Sequence, residues 1–520
     1  MVRQLASRQQ QDNLERWLEQ RSFSGNPFGI YQAELEERLA EYFVPTGYYD
    51  EIKGSAEVPR TIIVFAARGC GKSAHRIMVA RDCRPTVSYS EILAVPYTDF
   101  GTLPDKLAQD RKSVSLDRHL EEILRTAANT FLDALVRDAS LVDALKPEWL
   151  SRLKFFCVQH PDNPVLGPLP LLDRLRQLAG GDFDPDWNVF QRAWHTGELG
   201  TMLKRQAVWD NPVARFLIAL ADTHPEPVNI AHLSAAKRFT LFVDLVRYTG
   251  LKAIYVLVDQ VDEVLPIADD LALTADFVEP LLGDLPLMEC PHAAFKFFLP
   301  IEAQPAFAEK TAIRYDRLSF RKIIWDEGTL AELLRQRLIA FSEGRVEALS
   351  DLCDEAEVRR GWNLDQDLVQ HAQGSPRNLL RLSESLLWTH TRRSGGSISL
   401  TLDDWKTTLS DFYGAPVSTQ MRPPLHPPLH LDEESQMIWV GTRKVELSDA
   451  LFFLLSYLYD QAGQIVSNYE LMTGMELSYD NLRQQVRRIR QEIEPNPKHP
   501  VYLVSVRGRG LRLDNVVKRN

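Results

Sequence analysis

The run Thr61–Ser73, TIIVFAARGCGKS, constrains this chain more than any other stretch. Thr61 to Phe65 form a short apolar, β-branched run, which predicts a buried strand. Ala66 to Ser73 then follow the phosphate-loop spacing A-x-x-x-x-G-K-S. Gly69 and Gly71 allow a tight turn in which backbone N–H groups face a phosphate with no Cβ in the way. Lys72 supplies a cation to the β- and γ-phosphates, and Ser73 offers a hydroxyl to Mg²⁺. Ala66, Arg68, Cys70 and Ala74 complete the expected nucleotide-binding set. Ala74 to Ala80 continues as a helix whose N-terminal dipole favours anions. A Gly-rich turn with a chance lysine is the alternative; the strand before and the helix after speak against it.

A second acidic motif follows far downstream. Ala253 to Val258 predict a fully buried strand closed by Asp259. Ligands bind at that edge of open α/β sheets, which makes Asp259 a candidate Mg²⁺ ligand beside Ser73. Asp262 and Glu263 are candidates to orient or deprotonate an attacking water. A capping aspartate before a helix is the plainer alternative.

Between these motifs, Ile92 to Tyr97 read as a strand, and residues 115–245 as mostly helical. The stretch is long for a crossover, and it predicts a helical insertion able to contact a partner. Phe295 to Leu299 predict a further strand. Tyr31 to Phe43 carry apolar residues at helical spacing, at Ala33, Leu35, Leu39, Tyr42 and Phe43, and predict a helix that covers the sheet edge or the adenine. Near Gly374-Ser375-Pro376-Arg377, Gly374 should end one helix and Pro376 start the next. Arg377 then falls in a first helical turn, where a cation needs an anion such as a phosphate, or is a surface arginine.

The expected layout has a helical segment at 1–60 and a core at 61–325 with an insertion at about 110–245. A helical lid at 326–414, a proline-rich linker at 415–430 and a terminal domain at 431–520 follow. The five cysteines form no CxxC pair, so reduced thiols in a cytoplasm are expected. The polar start is unlike a signal peptide, and no run approaches a membrane span of about 18 apolar residues.

Together the pieces over roughly 26–395 resemble the AAA+/STAND group of P-loop ATPases. The resemblance implies an α/β fold, a doubly wound parallel sheet with a large helical insertion and a helical lid. It implies ATP and Mg²⁺ as ligands, weak ATPase activity and nucleotide-dependent self-association. Gln260 stands where AAA+ enzymes usually place the catalytic glutamate, so Asp262 and Glu263 resemble the displaced acid pair of STAND signalling ATPases. Gly374-Ser375-Pro376 is similar to their G-x-P motif, which adds Pro376 and Arg377 to the nucleotide set. Arg314 and Arg317 are the candidate arginine fingers, with plain salt bridges as the alternative.

The tail, 431–513, resembles the α+β winged-helix DNA-binding domain of OmpR/PhoB response regulators. Met437 to Val440 and Val445 to Leu447 match the leading strands, Ser448 a helix cap, Asn481 to Ile493 the recognition helix and Tyr502 to Leu513 the wing. Leu511 stands where a tyrosine is usual. From Asn481 to Leu513 eight cations face two carboxylates, in a chain of net charge −11. With Leu482, Val486 and Ile489 inward, Arg483, Gln484, Arg487 and Arg488 face outward on one helix. Those four are the candidate base readers, with Arg507 and Arg509 as phosphate holders. The expected function is an ATP-dependent regulator that assembles on duplex DNA. The alternatives are a STAND-type antiphage sensor whose winged helix docks a protein effector, and a DNA ATPase of the origin-recognition or mobile-element kind.

Overall fold

The computed structural model describes residues 2–83, 91–158, 168–180, 183–205, 210–223, 230–268, 270–393, 399–413, 429–432, 437–440, 443–445, 447–462, 465–466, 468–475, 477, 479–494, 500–506, 510–513 and 516. By contacts the chain divides into two units, one of residues 1–44, 262–270 and 325–520 and one of residues 45–261 and 271–324.

The second unit is built on five strands: β1 (Ile62–Ala66), β2 (Ile92–Tyr97), β3 (Ala253–Val258), β4 (Ala293–Pro300) and β5 (Ser319–Lys322). They form one parallel sheet in the order β2-β3-β4-β1-β5. Every residue of β1, β3 and β4 is buried, as expected of a parallel sheet covered on both faces. The strand expected at Phe295–Leu299 runs longer, to all eight residues of β4. β5 is a short, mostly exposed edge strand that the sequence pattern does not announce.

Helices fill the span between β2 and β3, as expected of the insertion. Leu116–Arg137 and Ala235–Tyr248 are the longest of them, and Phe131, Phe156 and Phe242 meet edge-on in their core. Within this span the helices Trp187–Thr196 and Pro212–Asp222 are started by Asp186 and Asn211, whose side chains accept the first backbone N–H groups. A buried polar chain ties Leu116–Arg137 to the sheet. Tyr97 Oη donates to His119 Nδ1 at 2.8 Å, and His119 Nε2 donates to the Phe277 carbonyl at 2.8 Å. Both ring nitrogens are thus used by a neutral imidazole, and burial lowers its pKa from 6.5 to about 4.

In the first unit, the expected N-terminal helix is Val2–Gln20, with Trp17 set edge-on to the buried His390 ring. The helix expected over Tyr31–Phe43 is broken into two short turns, Ala33–Leu35 and Leu39–Tyr42. Arg337, on the helix Glu327–Ser342, explains the break. It ion-pairs with Glu36 at 2.8 Å, stacks over Tyr42 and donates to the Pro27 and Ile30 carbonyls. Buried arginine contacts claim the carbonyls and side chains that a continuous helix would arrange otherwise. The break before Pro376 falls where expected: Leu364–Ala372 stops at two left-handed residues, Gln373 and Gly374, and Pro376–Arg393 begins at the proline.

The terminal domain has a sheet of β6 (Leu429–Asp432), β7 (Met437–Val440) and β8 (Arg443–Val445). A second sheet joins β9 (Ile465–Val466), β10 (Leu503–Val506) and β11 (Gly510–Leu513). Three helices, Asp449–Asp460, Asn468–Gly474 and Tyr479–Ile493, complete it around one apolar core. The second leading strand thus lies slightly earlier than the expected Val445–Leu447. Ser448 occupies the N-cap position, but its hydroxyl makes no capping bond, which corrects its expected role. Most of the proline-rich linker, residues 414–428, lies outside the described residues.

The His119 environment makes a pH prediction. The unfolded imidazole binds a proton near pH 6.5 and the folded one only near 4. Its contribution is complete above pH 6.5 and is lost as pH falls towards 4, at a cost of about 3 kcal/mol. Thermal melts followed by circular dichroism should show that loss, and a shallower pH dependence in His119→Gln.

Candidate functional site

The strand order creates a crevice. From β1 the chain crosses towards β2, whereas from β4 it crosses the other way to β5. β1 and β4 are neighbours whose onward connections run in opposite directions, and ligands sit outside the carboxyl ends of strands at such a switch. Ala66 ends β1 there, and the loop after it turns into the helix Lys72–Asp82. Gly69 and Gly71 both take left-handed backbones, with φ of 80° and 82°. A side chain at either position would be strained, so glycine is required for this path. Arg68 is exposed, and Cys70 is buried and in no disulfide.

The first turn of that helix and the end of β3 meet at Asp259. This carboxylate is 1% exposed. Burial pushes its pKa above the usual carboxylate value, while Arg76, the Ser73 hydroxyl and the Lys72 ammonium pull it down. Arg76 Nε donates to Asp259 Oδ2 at 2.9 Å. Oδ1 is buried and, among the described residues, has no hydrogen-bond partner. An orphaned carboxylate oxygen grouped with the serine hydroxyl suits a hard divalent cation, which takes oxygen ligands. The helix is held from behind by His75, whose Nδ1 lies 2.9 Å from the Gly71 carbonyl and Nε2 2.9 Å from Thr46 Oγ1.

Sequence reasoning missed Arg76 and His75. The only signal for Arg76 was its place four residues after Lys72, one helical turn on and on the same face. Asp262 is buried on the turn Val261–Glu263, after a left-handed Gln260. Asp262 and Glu263 belong to the first unit, as do Pro376, buried, and Arg377, exposed. Arg314 and Arg317 are exposed and paired, Arg314 with Asp316 at 2.9 Å and Arg317 with Glu289 at 2.8 Å. Exposed pairs of this kind are weak, so neither arginine is locked in place.

In the terminal domain, Leu482, Val486, Ile489 and Ile493 of the helix Tyr479–Ile493 point into the core. Arg483, Gln484, Arg487 and Arg488 are all exposed, as their phase on the helix requires. Arg490 is different: it donates to the Leu503 carbonyl and to Ser505 Oγ, which ties the helix to β10. Arg490 keeps its charge, but its donors are committed to this tie. Glu494 makes a second tie, its carboxylate accepting the backbone N–H groups of Val501, Tyr502 and Leu503. β10 and β11 then pair antiparallel through Val506 and Gly510. Arg507 and Arg509 lie outside the described residues.

Comparison with known proteins reaches this domain. Residues 442–513 match the family described as transcriptional regulatory protein, C terminal. The last domain is a winged helix of the response-regulator type. The sensory transduction protein RegX3 of Mycobacterium leprae is 33% identical over 93 residues, which cover 17% of this chain and 47% of that protein. RegX3 of Mycolicibacterium smegmatis is 33% identical over 92 residues, 17% of this chain and 40% of that protein. An uncharacterised transcriptional regulatory protein of Bacillus subtilis, YrkP, is 30% identical over 90 residues, 16% of this chain and 39% of that protein. The chain thus spans less than half the length of these curated relatives. None of the five cysteines is in a disulfide, and among the described residues no helix is long and apolar enough to cross a membrane.

The Glu494 clamp should matter to the winged helix as a unit. Glu494→Ala leaves three backbone donors short of their acceptor, and a buried unsatisfied donor costs about 1–3 kcal/mol. Urea unfolding of the full chain, followed by the fluorescence of Trp439, should show an earlier transition for this domain.

Proposed function

We propose that the protein is an ATP-controlled transcription regulator. Its α/β core binds and slowly hydrolyses ATP, and its winged helix binds duplex DNA. The observation that carries the proposal is the exposed face Arg483, Gln484, Arg487 and Arg488, on the recognition-helix position of a regulator domain. Arginine and glutamine there can make bidentate contacts to guanine and adenine edges in the major groove, each worth about 1–3 kcal/mol. The names of the relatives, a sensory transduction protein and a transcriptional regulatory protein, support the same reading.

The nucleotide half rests on the crevice. Gly69 and Gly71 open the loop backbone towards the phosphates, Lys72 meets the β- and γ-phosphates, and Ser73 with Asp259 would hold Mg²⁺. The metal's chemistry is to neutralise charge on the transferred phosphoryl group. The place directly after Asp259 is held by Gln260, which has no carboxylate to activate water, and this makes turnover slow. Arg314 or Arg317, released from its surface pair, reaches a neighbouring copy's nucleotide, so ATP promotes self-association.

Two expected outcomes test the halves separately. Lys72→Ala should abolish ATP binding in calorimetry and, with it, any ATP-dependent rise in molar mass by light scattering. Unchanged affinity in that variant sinks the nucleotide assignment. For DNA, the full chain should bind duplexes more weakly as salt rises. Arg487→Ala with Arg488→Ala should flatten its preference among sequences, costing about 1–3 kcal/mol at the preferred site. A chain that ignores duplex DNA even at low salt makes the winged helix a protein-docking module.

A further inference from the structure

Arg76 stands one helical turn after Lys72, and its side chain is 10% exposed. Its Nε holds Asp259 Oδ2 at 2.9 Å. The carboxylate expected to bind a metal is thus already half engaged by a positive charge. Its two oxygens are divided: Oδ2 belongs to the guanidinium, and Oδ1 is buried without a partner among the described residues. Arginine stays protonated at any pH a protein tolerates, so this cation cannot be titrated away. A divalent ion arriving at Oδ1 meets a carboxylate whose charge is largely neutralised, with a guanidinium beside it. Little water reaches a pair this deeply buried, so both effects are poorly screened.

The consequence concerns the nucleotide site proposed above and rests on that reading. We infer that Arg76 is a resident cation that stands in for part of the divalent metal's charge at Asp259. Nucleotide is therefore held almost as tightly without Mg²⁺ as with it. Arg76 acts through Asp259 and is a positioning residue. Its effect is on the metal dependence of binding, which a merely structural arginine would leave alone.

Calorimetry on the full chain with a non-hydrolysable ATP analogue, in excess Mg²⁺ and in EDTA, tests this. The wild-type dissociation constants in the two conditions should differ by less than about threefold. In Arg76→Met the carboxylate regains its full charge, and chelating the metal should weaken binding by about tenfold or more. Arg76→Lys keeps a cation at the site and should restore the wild-type pattern. Breaking a buried ion pair is destabilising, so Arg76→Met can fail to fold. The wild-type comparison decides without it: a loss of about tenfold or more in EDTA overturns the inference while leaving the nucleotide reading intact. An equal metal dependence in wild type and Arg76→Met overturns it as well. Absence of binding by the wild type in both conditions removes the nucleotide reading, and the inference with it.

Discussion

Asp259 places a carboxylate where little water reaches, and the helix Lys72–Asp82 brings cations to it. A lone buried carboxylate is costly enough that it takes a proton instead of staying charged. Here the chain brings cations to it from one helix: Arg76 directly and Lys72 at longer range. That helix can approach only because the loop before it turns through two left-handed glycines. The loop starts from β1, which lies one strand away from β3, with β4 between them. Sheet order, glycine placement and charge pairing thus depend on one another, and altering any of them exposes the carboxylate.

The winged helix solves a different problem. Its recognition helix must show a basic face and still be held firmly by a small domain. The apolar positions Leu482, Val486, Ile489 and Ile493 anchor it to the core. Arg490 and Glu494 then use a cation and a carboxylate to fasten its C-terminal end to the chain leading into β10. Glu494 accepts three backbone donors that would otherwise be stranded at a strand entrance, a place where no ladder partner is available to them. The orientation of the helix relative to β10 is therefore fixed by polar groups, not by apolar contacts alone.

Much of this was legible in the sequence, for a physical reason. β1, β2 and β3 are buried strands with apolar runs, and their bounds read almost as observed, because burial on both faces leaves no room for polar residues. The recognition helix was equally legible, since its period separates inward leucine, valine and isoleucine from outward arginine. What escaped was long-range and polar. The break in Tyr31–Phe43 depends on Arg337, some three hundred residues away, and apolar periodicity carries no trace of it. β5 has exposed, polar positions and takes its place only by pairing with β1. The Arg76–Asp259 contact joins residues 183 apart, and only the spacing of Arg76 from Lys72 sets it apart from a surface arginine.

In the tail, where the charge sits matters as much as how much there is. The whole chain carries a net charge of −11, which at long range repels another polyanion. Charges beyond a Debye length of about 10 Å are screened at moderate salt, so DNA at the domain surface feels mainly the local face. Locally Arg490 adds its charge to the field, but its donors are engaged by Leu503 and Ser505 and do not reach a base. Arg487 and Arg490 lie three residues apart on one helix, yet one is exposed and the other partly buried. The small difference in phase puts Arg490 beside β10 and leaves Arg487 clear of it. Recognition therefore rests on which arginines the packing leaves outside, and the two polar ties at Arg490 and Glu494 are what keep that choice fixed.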